Sequence, residues 1–302
     1  MPDVSAPPTA ADLLTQWRPD WLTLAVLLAL AVWYVRARRR AGSPSWPRYR
    51  DVLLGAGVAL AVWTSSGFPA ARGTQLMWVW TAQQLTLLLV VPAVVLSAQP
   101  LALARAVGGD RAVPLRLLAS RPARALGHPA LSLLYVPLMA GLLFFWGLGD
   151  WSLGSAPAGW ALHLLLLAVG AVVALPLVDA EDGRTSLAVG AAVAIGAIEL
   201  LVDAIPGIVL RLETHLQMHG FATGRPPWAP AALADQQTSG AILWTVAELL
   251  DLPFLVLVVA QWTRIEGREA QRIDAELDRA EPTGRPWWLD DPELRGRYGG
   301  PG

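Results

Sequence analysis

Residues 21–40 read WLTLAVLLALAVWYVRARRR. No charge occurs from Trp21 to Val35, and then Arg36, Arg38, Arg39 and Arg40 arrive together. Apolar stretches approaching twenty residues match the roughly 30 Å hydrocarbon core of a bilayer at 1.5 Å of rise per residue. Arginines gathered at one end of such a stretch mark the cytoplasmic side. Working outward, the same theme recurs to about residue 262, so the chain reads as an all-α, polytopic membrane helical bundle.

The apolar stretches fall at residues 21–35, 52–66, 75–96, 129–148, 160–178, 186–210 and 239–262. Arginine is dense in the first connection (Arg36 to Arg50) and the third (Arg105, Arg111, Arg116, Arg121, Arg124), and again after the last stretch (Arg264, Arg268, Arg272). The connection holding Asp150 and Trp151 has none, and Trp146, Trp151 and Trp160 flank it as interfacial anchors. This alternation predicts about seven transmembrane helices, with the N-terminus outside and the C-terminus cytoplasmic. Residues 1–20 form an external segment that does not look like a cleaved signal, 21–262 the membrane domain, and 263–302 a charged, flexible cytoplasmic tail. Pro92 predicts a kink late in the third helix.

Composition agrees: 54% hydrophobic residues, 16% charged and a mean hydropathy of +0.44 would leave a soluble chain of 302 residues almost no polar surface. The charges are segregated with a net of -1, so no continuous basic surface suggests nucleic acid. Cysteine is absent, which excludes disulfides, thiolate metal sites and a thiol nucleophile. All 23 basic residues are arginine, so no lysine Schiff base with retinal or pyridoxal can form. Ser-x-x-Lys, Gly-x-Ser-x-Gly and His-Glu-x-x-His strings are also missing, and a membrane hydrolase ranks last among the readings.

Ionisable groups inside a membrane are costly and face the bundle interior. Glu199 and Asp203 share one helix face, as do Glu248 and Asp251. Were these faces to meet, they would hold a cation or a shared proton, the basis of an alternative reading as a proton- or cation-coupled transporter. His215 and His219 lie four residues apart with Met218 beside the second; on one helical turn this His and Met set favours copper when cysteine is missing. His163 lies a turn inside the fifth stretch as a ligand, proton carrier or interhelical hydrogen-bonding group. His128 with Pro129 opens the fourth. In the string from Ala234 to Trp244, Asp235 is placed to cap the last helix, Gln236 and Gln237 offer amides, and Gly240 permits close helix approach.

On these residues the chain resembles the integral-membrane assembly proteins of caa3-type cytochrome c oxidase, the CtaG-like family. The resemblance is carried by Asp235, Gln236, Gln237, Gly240 and Trp244, and is supported by His128 with Pro129, the stretch from Pro92 to Pro100 and the first basic loop. It implies a non-enzymatic, multi-pass protein of the bacterial plasma membrane whose partners are cytochrome c oxidase subunits and whose cargo is copper. It also implies a His-x-x-x-His pair on the third helix. Counting back from Pro92, those positions are Trp80 and Gln84 here, so the chain reads as a divergent member. Such a member has either lost that metal site or moved it; if copper is handled, the ligands expected are His215, His219, Met218 and His163, with Glu199, Asp203, Glu248 and Asp251 as a buried acidic relay.

Overall fold

The computed structural model describes residues 6–42, 46–109, 129–178 and 202–246, the backbone alone at 129–133 and 176–178, and positions 112, 116, 120, 248, 249, 263, 267, 271, 274 and 275. The chain divides into two compact units, Met1–Asp182 with Gly196–Leu252 and Gly183–Ile195 with Pro253–Gly302. Nearly all described residues belong to the first, which is described below. His128, Glu199 and Asp251 lie outside the described residues.

The described regular structure is helical throughout. α1 spans Asp12–Thr15, α2 Trp21–Ala41, α3 Arg48–Ser66 and α4 Phe68–Arg72. α5 (Met77–Leu85), a π-helical turn (Thr86–Val90) and α6 (Val91–Ser97) run on as one rod, followed by α7 at Pro100–Gly108. α8 is Pro129–Phe144, α9 Leu148–Leu153 and α10 Ala156–Val178. α11 covers 202–212 and α12 covers 232–246. Among the described residues, four helical stretches are long and apolar enough to cross a membrane: Trp21–Ala41, Arg48–Arg72, Met77–Ser97 and Ala156–Leu175. The expected stretch 129–148 is a shorter helix here, because Gly147 turns the chain with φ of 81°.

α10 is the central rod, packing against α2, α6, α8, α9 and the π turn. Lipid tails are as apolar as leucine, so cohesion among such helices comes from close packing and polar links more than from water exclusion. Pro92 lacks an N–H, and its ring would crowd the carbonyl of Leu88 one turn back. The helix answers by widening at Thr86–Val90, so the irregularity predicted at Pro92 takes the form of a π turn just before it. The backbone of α10 then lies directly on the Leu88 carbonyl. A Cβ at Gly170 would come within 1.9 Å of Leu88 O and 2.7 Å of Pro92 Cγ.

α11 and α12 meet in the same way. A Cβ at Gly207 would lie 2.6 Å from Trp244 N, and one at Gly240 would lie 2.5 Å from Arg211 N. The close approach predicted at Gly240 is therefore a glycine-to-glycine crossing. The main core joins the rods through Trp80, Leu88, Phe144, Leu166, Leu210 and Leu243. Residues 6–20 fold back on the bundle through Arg72, which is 1% exposed. Its guanidinium donates to Gln16 Oε1 at 2.7 Å and to the Ala6 carbonyl at 3.1 Å, and lies 3.9 Å from Asp12.

Candidate functional site

The polar groups of the bundle gather at the end where α2 and α5 begin and α3 ends. α5 starts at Met77 after Leu76, which has no capping side chain, so its first N–H groups need acceptors from elsewhere. Asp235 supplies them. Its carboxylate accepts from Met77 N–H at 2.9 Å and Trp78 N–H at 3.0 Å, and from Arg225 Nη2 at 2.7 Å, with no solvent exposure. A negative charge at a helix N-terminus also favours the macrodipole. The cap predicted for the last helix is thus corrected: α12 begins at 232, and the Asp235 carboxylate caps α5.

Gln236 is fully buried beside it and holds the preceding loop by two bonds. Its Oε1 accepts from Gln217 N–H at 2.7 Å and its Nε2 donates to the His215 carbonyl at 2.9 Å. The Gln237 carbonyl accepts from Arg211, and Ser239 Oγ donates back to the Asp235 carbonyl. Two successive side chains therefore fasten two different segments to α12.

A second polar centre joins α2 to α10. Asp20 caps α2, accepting from Thr23 N–H at 2.9 Å and Thr23 Oγ1 at 2.5 Å, while its own N–H donates to Ser66 Oγ at 3.1 Å. Its Oδ2 lies 2.8 Å from His163 Nδ1, and both side chains are buried. His163 opens onto a cavity of about 240 Å³ shared with Arg18, Ser65, Trp80, Gln83 and Ser155. Asp20 was missed in reading the sequence, although an aspartate before an apolar run with threonine three residues on is an N-cap signature.

Burial pushes the Asp20 carboxyl up, but the bonds with His163 and Thr23 outweigh it and leave the group below its ordinary 3.8. A lowered carboxylate contributes stability above its unfolded value, and that contribution is lost as pH falls through the folded one. Thermal stability of the wild type should therefore decline below about pH 4, with Asp20→Asn less stable at neutral pH and flatter across that acid range. Melting of the detergent-solubilised protein between pH 3 and pH 7 checks this, and parallel curves for the two proteins would refute it.

Trp80 and Gln84 stand on the rod beside this centre. Trp80 is 4% exposed and meets Phe144 and Phe221 edge-on, with centroids 5.7 and 6.2 Å apart. Gln84 Nε2 donates to Gln83 Oε1 at 3.2 Å, while Gln84 Oε1 has no hydrogen-bond partner. Gln83 Nε2 donates to the Thr64 carbonyl at 2.8 Å, tying α5 to α3.

The segment 213–218 is not helical, so His215 and His219 do not share the helical face expected of them. Both are exposed, whereas Met218 is 1% exposed and packs in the main core. His215 Nδ1 lies 3.5 Å from Glu213, and Asp150 accepts from the backbone N–H groups of His219 and Gly220. Asp203 is 4% exposed on α11, and Glu248 accepts from the Trp244 indole N–H. No group of three or more histidine and acidic side chains converges to hold a metal among the described residues.

The family model for the cytochrome c oxidase caa3 assembly factor (Caa3_CtaG) matches residues 28–265. The chain belongs to this family. It is 29% identical to an uncharacterized protein of Mycobacterium bovis and to one of Mycobacterium tuberculosis, and 28% identical to one of Mycobacterium leprae. Each match covers 91% of this chain and 44% of the relative, so the chain spans less than half the length of these relatives. No solved structure matches. Within this Caa3_CtaG member, Asp235 and Gln236 are buried fasteners and Trp244 bonds to Glu248. Trp80 and Gln84 offer no imidazole, and Trp80 lines the cavity onto which His163 opens.

Proposed function

We propose that this chain is a non-catalytic assembly factor of the bacterial plasma membrane that serves a caa3-type cytochrome c oxidase by engaging an oxidase subunit at its loop-rich end. The observation that carries the reading is the family match over residues 28–265, which includes every residue of the buried Asp235 and Gln236 node. That node supports it physically. It fixes the segment 213–231 to the mouth of the bundle, presenting a defined surface to a client instead of a free loop. The arginine-rich opposite end, with Arg36, Arg39 and Arg40 exposed, supports a topology in which this surface faces outward.

Copper belongs to the proposal as cargo. The described residues do not form a closed ligand set, and the Met218 thioether is committed to the core. The imidazoles of His215 and His219 are exposed on the fastened segment, and a soft cation would meet them there first. The transporter reading would rest on Glu199, Asp203, Glu248 and Asp251, of which Glu199 and Asp251 lie outside the described residues.

The test is a strain lacking this protein, complemented by wild type or by His215→Ala/His219→Ala. Wild type should restore oxidase activity and the copper content of the purified oxidase, and the double variant should restore roughly a tenth or less, within the range of a lost metal-site partner. Unchanged oxidase in the deletion strain would overturn the assembly reading. Full rescue by the double variant would remove copper from it while leaving the client role.

A further inference from the structure

At the arginine-rich end, α2 and α7 enclose an open groove of about 690 Å³ that plays no part in the site above. Its floor and walls are apolar and mostly small: Ala25, Ala29, Val32 and Ala37 on α2, with Ala104 and Val107 on α7. Arg36 and Arg40 close one end, one helical turn apart and both exposed. Neither meets a carboxylate among the described residues, whereas Arg38 between them lies 3.7 Å from Asp51. Asp51 also accepts from the Tyr34 hydroxyl.

The dimensions are those of one lipid leaflet. From Ala25 to Arg36 the helix rises about 16 Å, close to half of the roughly 30 Å hydrocarbon core. An apolar slot of that length, ending in two guanidinium groups that meet no carboxylate among the described residues, matches an acyl chain joined to an anionic phosphate. Guanidinium pairs with phosphate through two parallel N–H bonds, which a zwitterionic headgroup partly neutralises with its own cation. Small side chains alone would also suit a neighbouring helix, but two exposed cations at the groove mouth disfavour another apolar span there.

We propose that the α2 and α7 groove is a binding site for one anionic phospholipid, with its acyl chain along Ala25, Ala29 and Val32 and its phosphate between Arg36 and Arg40. The site would couple this protein to the anionic lipid content of its leaflet, independently of any oxidase client.

The experiment is native mass spectrometry of the full chain in mild detergent, titrated with phosphatidylglycerol or phosphatidylcholine of identical acyl chains. Wild type should bind one phosphatidylglycerol at least tenfold more tightly than phosphatidylcholine, in line with two basic groups at the membrane surface. Arg36→Gln/Arg40→Gln should lose that preference, while Arg39→Gln, exposed at the same end but outside the groove, should keep it. Ala29→Trp, which fills the slot from an exposed position, should weaken both lipids. Equal affinity for the two lipids in wild type overturns the proposal, as does a preference that survives in the double arginine variant. A second copy of the chain bound in place of lipid, and lost in Ala29→Trp, also overturns it.

Discussion

Replacing Asp235 with alanine should cost about 3–5 kcal/mol of stability, the range found when one partner of a buried ion pair is removed. Three donors lose their acceptor at once: the N–H groups of Met77 and Trp78, and the Arg225 guanidinium. The two backbone groups have no substitute, because Leu76 brings no capping side chain. Arg225 would keep the Pro230 and Phe221 carbonyls but no negative charge. Asp235→Asn should fall between, keeping an amide oxygen for the helix start while losing the charge pair. The double variant Asp235→Ala/Arg225→Ala should lose less than the sum of the singles, since each single leaves a partner stranded. Recovery of monodisperse protein after graded heating checks this. Wild-type recovery of Asp235→Ala would show that the cap is dispensable.

The second large effect belongs to a residue that carries no chemistry. Gly170→Ala would set a methyl group 1.9 Å from the Leu88 carbonyl oxygen and 2.8 Å from its carbon, where backbone atoms leave no flexible side chain to move. Overpacking of this kind costs about 3 kcal/mol, with α10 forced off the π turn. Gly170→Val should abolish accumulation of folded protein. Gly55→Ala is the matched control, since nothing lies within 4 Å of its added Cβ on the exposed side of α3. There the substitution should be neutral or stabilising by up to about 1 kcal/mol, because alanine is the better helix former. Comparable yields and melting for Gly170→Ala and Gly55→Ala would overturn the close-packing argument.

Four of the seven expected membrane helices were legible in the sequence and are found among the described residues. The stretches beginning near 21, 52, 75 and 160 appear as helical stretches long enough to cross a membrane, with ends shifted by a few residues, while much of 186–210 and 239–262 lies outside the described residues. Such boundaries follow from length, hydropathy and charge, because a chain in lipid must satisfy its backbone hydrogen bonds within each segment. Two misreadings came from extending helical periodicity into a loop and from placing a cap by chain proximity. Residues 213–218 leave the helix, so the spacing of His215 and His219 carries no common face. Met218 looked like a ligand because of its neighbours in the chain, yet its side chain is buried in the same core cluster as Trp80 and Phe144.

By itself the sequence determined that the described regular structure is helical, that the chain suits a bilayer, that thiol and lysine chemistry are excluded, and that Asp235, Gln236, Gly240 and Trp244 form a family string. Only the tertiary structure decided what its polar residues do. Asp235 serves a helix start 158 residues earlier in the chain, and His163 meets an aspartate 143 residues away. Local periodicity specifies which face of a helix turns inward but not which neighbour it meets, and in a bundle held by contact rather than water exclusion the neighbour decides the chemistry.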